Sequence, residues 1–372
     1  MSRGEDEDRD SDAPPPRETT LVFGHGAAER EFLTAYCSGR IPHAWLIGGE
    51  AGIGKATLAY RMARFVLAHP DPSHPDVTAA ASLALDPAHP TARRVASNAH
   101  SDLLVLERTE GENGKMRTVI TVDQVRRLVT FFGSTAGEGG WRVCIVDSAD
   151  ELKYPEGSNA LLKMLEEPPA RALFLLVSHA PGRLLPTIRS RCRRLALKPL
   201  ATAEVAGAVA AVLGPGAQTA RVRQAAEAAS GSVARALAFA GGPRLELRQR
   251  LAAMLGALPA VDAAALHAVG DQLDRDRGLF GVFVDAVCEW LSGRLSRDAA
   301  GLRADGAKVG DGSDGNGALY GAQRAAALAR LARTADLWDR LNLKAREAET
   351  YNLDRKPVVF AIFGLLAEAS GG

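Results

Sequence analysis

The stretch Gly49-Glu50-Ala51-Gly52-Ile53-Gly54-Lys55-Ala56-Thr57 carries the spacing of a phosphate-binding loop. A short apolar run, Ala44–Ile47, precedes it, and a helical pattern, Leu58–Leu67, follows it. Strand, glycine-rich turn and helix are the setting such a loop requires. Gly49, Gly52 and Gly54 let backbone N–H groups turn inward around an anion, and the helix N-terminus adds partial positive charge. Lys55 would reach the outer phosphates. The hydroxyl residue that should come next, as a magnesium ligand, is Ala56. Thr57 sits about 100° further around the helix and does not point at the metal.

Two more residues could act on a nucleotide. Arg142–Asp147 reads as a buried strand ending in a carboxylate. Asp147 is where a P-loop nucleotidase keeps its magnesium-side acid. The next residue is Ser148, which cannot take a proton as a carboxylate would. Asp150 stands nearby as a makeshift base. With the metal hydroxyl and the water-activating carboxylate both missing, the expectation is ATP or ADP held weakly and not hydrolysed. The second candidate is Arg191, within Arg189-Ser190-Arg191-Cys192-Arg193-Arg194. The stretch reads as a solvated strand edge, as a DNA-contacting patch with Arg183 and Lys198, or as a finger. A finger arginine offers a planar, always-charged fork to a phosphoryl group.

Composition sets bounds. The chain has 372 residues, 45 basic and 44 acidic, so its net charge of +1 gives no general attraction to nucleic acid. Its length suits two or three domains. The four cysteines, Cys37, Cys144, Cys192 and Cys288, lie far apart. They suggest reduced thiols in a cytoplasmic protein and no zinc. No apolar run approaches the roughly 20 residues of a membrane span. His69, His74, His89 and His100 have no metal-ligand spacing. Asp305–Gly317 lacks the closing glutamate of a calcium loop.

The elements that would position these groups follow from periodicity. Residues 1–20 are charged and proline-rich and read as a disordered tail. From 21 to 198, apolar runs alternate with amphipathic helices, the pattern of an α/β parallel sheet covered on both faces. Arg142–Asp147 is the clearest strand, and Ala172–Ser178 is another fully apolar one. Residues 69–98, with five prolines and three histidines, read as a surface insertion. Residues 199–243 form a small helical lid. Residues 244–372 are all-helical, with a flexible insertion at 305–317.

Asn159-Ala160-Leu161-Leu162-Lys163-Met164-Leu165-Glu166-Glu167-Pro168-Pro169, the Ser190-Arg191-Cys192 triplet and the preceding phosphate loop resemble the clamp-loader branch of the AAA+ ATPases. Phe23-Gly24-His25, Ser38-Gly39-Arg40 and His43-Ala44-Trp45-Leu46 extend the resemblance over most of 22–200. Asn352-Leu353-Asp354-Arg355-Lys356 extends it weakly into the helical third. The resemblance implies an AAA+ P-loop domain, a lid and an oligomerising helical collar. It implies a five-subunit complex of bacterial DNA polymerase III, with delta and gamma/tau subunits as partners. That complex opens the ring-shaped beta sliding clamp and sets it on primed DNA. This chain looks like its stationary member, lending Arg191 to the ATP site of a gamma/tau neighbour. The family's sensor-one position corresponds to Ser178. Its sensor-two arginine is replaced by Ala234, with Arg235 one place late. The rival reading is a self-sufficient AAA+ ATPase; Ala56, Ser148 and Ala234 weigh against it.

Overall fold

Unbroken aliphatic runs build the centre of the first unit because a strand buried on both faces has no position for a polar side chain. The structure is a computed structural model. It describes residues 14–370 apart from 112–116, 134–136, 138–139, 215, 217–218, 308–316 and 352. The chain divides into two units, Met1–Ala240 and Gly241–Gly372.

The first unit begins with α1 (Gly26–Cys37), β1 (Ala44–Gly48), α2 (Lys55–Ala68), α3 (Pro75–Thr78) and α4 (Pro90–Ala96). Next come β2 (Leu103–Glu107), α5 (Val122–Gly133), β3 (Arg142–Asp147), α6 (Glu156–Glu166) and β4 (Ala172–Ser178). The α/β part ends with α7 (Pro186–Arg191) and β5 (Arg193–Ala196). The strands form one parallel sheet in the order β2-β3-β4-β1-β5. Every residue of β1 and β4 is buried. Alternate side chains point to opposite faces. Leu46, Val146 and Leu176 pack on one face with Leu128 of α5 and Leu161 of α6. Trp45 points to the other face and meets Phe32 of α1, ring centroids 5.2 Å apart. There α2 lies against β1, β3 and β4. Each such aliphatic burial contributes about 1.5–3 kcal/mol.

Three readings of the sequence change in detail. The basic stretch after Pro186 divides: Arg189 and Arg191 lie on α7, whereas Arg193 and Arg194 are exposed on the edge strand β5. Arg193 is paired with Glu31 at 2.7 Å. The insertion 69–98 is not confined to the surface, since Val77, Leu83 and Val95 are buried. Two of its histidines, and His100 just beyond it, act as turn and cap residues. His74 Nδ1 accepts from Asp76 N–H, His89 Nδ1 from Thr91 N–H, and His100 Nδ1 from Asp102 N–H. Among the described residues no group of three metal-ligating side chains gathers. Residues 14–20, expected within a disordered tail, are held against α2. Buried Arg64 donates to Pro16 O at 3.3 Å and Thr19 O at 2.7 Å, and Arg61 to Thr20 O at 2.6 Å. Residues 1–13 lie outside the described residues.

Three helices complete the first unit: α8 (Thr202–Leu213), α9 (Thr219–Ala228) and α10 (Val233–Ala240). Val205, Val209, Val222 and Leu237 are their buried contacts.

The second unit consists of α11 (Pro243–Gly256), α12 (Ala263–Arg275), α13 (Phe280–Ala307), α14 (Gly317–Thr350) and α15 (Arg355–Ser370). Leu251, Val269, Phe283, Leu341 and Phe363 share its core. Helix α13 takes up residues 305–307 of the expected flexible insertion, and 308–316 lie outside the described residues. Asp354-Arg355-Lys356 has a structural role here. Asp274 of α12 accepts from Arg355 N–H at 2.7 Å and from Lys356 N–H at 3.2 Å. A carboxylate from one helix therefore caps the open N–H groups of another. Arg355 is buried, lies 4.6 Å over the Phe280 ring and donates to Ala348 O. Asp274→Ala should lower unfolding stability by about 1–2 kcal/mol, the scale of a lost cap. The midpoint of chemical denaturation measures it. Asp271→Ala, which removes only the exposed Lys356 pair, should shift that midpoint far less.

Candidate functional site

Parallel strands bring their carboxyl ends to one edge, and the expected residues meet there. Gly48 lies beside Ser178 in the register of β1 and β4. Gly49 N–H donates to Ser178 O at 3.3 Å, fixing where the loop leaves the sheet. Asp147 lies at the end of β3, between Val177 of β4 and Glu107 of β2. Gly49, Gly52, Gly54, Lys55, Asp147 and Ser178 thus line one edge, with Ala56 and Thr57 half-buried in the first turn of α2.

The loop is held from inside and from above. Gly54 has φ +94° and Gly52 φ +73°, left-handed conformations that glycine adopts without steric cost. Lys55 is buried, and its Nζ donates to Glu50 O of its own loop. His25, buried just before α1, has Nε2 at 2.7 Å from Ile53 O, and a carbonyl facing a ring nitrogen requires that nitrogen to donate. From the helical part of the unit, Ala234 N–H donates to Gly52 O at 3.2 Å. Ser232 and Ala234 crowd the same glycine so closely that a Cβ there would lie 2.2 Å from Ser232 Oγ.

The chemistry at the edge is partial. Ser178 is fully buried, and among the described residues its Oγ has no hydrogen-bond partner. The glycine turn and Lys55 have the residue types of a phosphate site, with Lys55 Nζ held on Glu50 O. Ala56, at the position of the magnesium-side hydroxyl, has no side-chain oxygen. Ser148, buried after Asp147, is not an acid. The two acids that follow are engaged: Asp150 Oδ1 accepts from His179 N–H at 3.1 Å, and Glu151 pairs with Arg108 at 3.0 Å. Burial, followed by the charges of Glu107 and Asp147, pushes the Tyr60 phenol above its ordinary pKa.

Arg191 stands apart. Its Nη1 donates to Thr187 O at 2.9 Å, and its Nη2 is 2.8 Å from Glu166 Oε1. These partners lie on α7 and α6, and none belongs to the phosphate loop. The neighbouring Cys192 thiol is pushed up to about 12 by burial, partly offset by Arg194, which makes it an inert packing residue. Sequence reading assigned no role to His25, Ser232 or Glu107. The His25 ring and the Ser232 hydroxyl reach the loop, and Glu107 reaches Asp147, only through the fold.

Gly52→Ala should be strongly destabilising. The left-handed backbone alone costs roughly 1–2 kcal/mol for a residue with a Cβ, and the contact with Ser232 adds to it. Gly39→Ala isolates the backbone share, because Gly39 has φ +68° and nothing within 4 Å of a Cβ. Thermal unfolding of the two variants should show the larger loss at Gly52.

Comparison with known proteins agrees with this geometry. Residues 24–201 match the family described as DNA polymerase III, delta subunit. Over 150 residues the chain is 41% identical to the DNA polymerase III subunit delta' of Pseudomonas aeruginosa, covering 40% of this chain and 41% of that one. Over 169 residues it is 33% identical to the delta' subunit of Escherichia coli, covering 45% and 46%. Over 257 residues it is 30% identical to the DNA polymerase III subunit tau of Salmonella typhimurium, covering 66% of this chain and 37% of that one. The chain spans less than half the length of each of these relatives. Residues 24–201, which hold the five-stranded parallel sheet and the phosphate loop, are thus similar to the DNA polymerase III delta family and, within it, to delta' subunits.

Proposed function

We propose that this chain is the non-hydrolysing delta-prime member of a DNA polymerase III clamp loader. In that role it is the stator of a hetero-pentamer with delta and gamma/tau subunits. It assists ATP-dependent loading of the beta sliding clamp onto primed DNA, and Arg191 serves the ATP site of a gamma/tau neighbour. The observation that carries the reading is the composition of the carboxyl edge. Phosphate-binding groups are retained there, while Ala56 and Ser148 stand where hydrolysis needs a hydroxyl and an acid, and Asp150 and Glu151 have other partners. ATP or ADP would be bound weakly and kept intact.

Arg191 supports the second half of the reading. It is the last residue of α7, one third exposed, and committed to no phosphate of its own chain. A finger of this kind is worth roughly 10³–10⁵ in rate at the site that it serves. The similarity to tau over 257 residues favours a second reading, a self-sufficient AAA+ ATPase. Ala234, where a sensor-two arginine would stand, weighs against it, and its N–H is bound to Gly52 O.

The isolated chain with ATP and magnesium should show negligible phosphate release. In a complex reconstituted with gamma/tau and delta subunits, Arg191→Ala should leave assembly intact and lower the DNA-stimulated ATPase. Robust turnover by the isolated chain supports the motor reading. Full stimulated activity with Arg191→Ala removes the finger from the proposal.

A further inference from the structure

We propose that Glu166 is a positioning residue for Arg191, holding its guanidinium on this chain until a phosphate-bearing site on a neighbour draws it off. This rests on the reading of Arg191 as an arginine delivered in trans.

The pair joins the ends of two helices. Glu166 is the last residue of α6 and Arg191 the last of α7. A cation at a helix C-terminus is favoured by the backbone dipole, whereas an anion there is disfavoured. Glu166 is therefore an unfavourable choice for helix α6 taken alone. The guanidinium 2.8 Å away compensates it. After the cap residue Glu167, Pro168-Pro169 begin the short connection to β4, so the chain next to the carboxylate is stiff.

Exposure argues against a purely structural bridge. The Arg191 side chain is 34% exposed and that of Glu166 is 49% exposed. A pair this open adds little to folding stability. It does alter what Arg191 presents outward. A guanidinium bonded to a carboxylate offers a neighbour much less net charge than a free one. Only one nitrogen faces Glu166 while Nη1 faces Thr187 O, so the contact is not the two-bond fork that arginine makes with its best partners. A triphosphate carries more negative charge and accepts that fork. The contact with Glu166 is strong enough to set a resting position and weak enough to exchange. Arg191 is thereby kept from a neighbour's phosphates until that neighbour closes upon it. The unstimulated ATPase of the assembly stays low as a result.

The test uses the full chain in the reconstituted complex. Glu166→Gln keeps the size of the side chain and removes its charge. It should raise the ATPase without DNA roughly two- to fivefold, the range open to a half-exposed pair, while the DNA-stimulated rate stays at the wild-type level. The double variant Glu166→Gln/Arg191→Ala should show no such rise. An unchanged ratio of unstimulated to stimulated rate, or a fall in both, overturns the holding role. An unaltered thermal midpoint for Glu166→Gln separates the effect from misfolding. If Arg191→Ala lowers the rate but Glu166→Gln raises nothing, only the holding role falls. If Arg191→Ala changes nothing, the finger reading falls and takes the holding role with it.

Discussion

The register between β1 and β4 governs everything that the first unit can do. Gly48 beside Ser178, and Gly49 N–H on Ser178 O, determine where the phosphate loop leaves the sheet. On the other side Leu197 N–H donates to Gly48 O at 2.8 Å. A slip of one residue in β1 would turn Trp45 and Ile47 toward the wrong face and move the loop away from Ser178 and Asp147. Burial of every side chain of β1 and β4 makes that slip costly. The carboxyl edge is thus a consequence of hydrophobic registration, and its chemistry depends on which residues happen to end the strands.

At that edge the polar groups bind their own chain. Lys55 reaches Glu50 O, His25 reaches Ile53 O, and the Ala234 N–H reaches Gly52 O. Asp150 and Glu151 are held by His179 N–H and Arg108. Such bonds keep a glycine-rich loop in one shape without a metal to order it. Both acids just beyond Ser148 are engaged in this way. Arg191 has the opposite character, pairing at the surface with Glu166.

The helical unit depends on a different lock. Arg355 is buried beneath the turn before α15, over Phe280 and against Ala348 O, while Asp274 caps the helix from α12. A buried guanidinium is tolerated because backbone carbonyls and an aromatic face replace its water. The motif that resembles a family signature in the sequence is, in the structure, the joint that fixes the last helix to the bundle.

Local residue pattern specifies the strands and helices of the sheet and exposes the missing groups. The apolar runs at Ala44–Ile47, Arg142–Asp147 and Ala172–Ser178 specified buried parallel strands, because only such strands tolerate unbroken aliphatic text. Ala56 and Ser148 could be read directly, since a missing hydroxyl or acid is visible at its own position. The short strand β5 and helix α7 were not separated, because six charged or small residues carry no clear period. The burial of Val77 and Leu83 within a proline-rich insertion was likewise hidden. Only the tertiary structure decided that His25 and Ala234 close upon the loop, that Asp150 and Glu151 have other partners, and that Glu166 holds Arg191. Each of these contacts joins residues far apart in the chain or on separate elements. Local sequence encodes propensity and burial, whereas the partner of a polar group is set by which elements the core brings together.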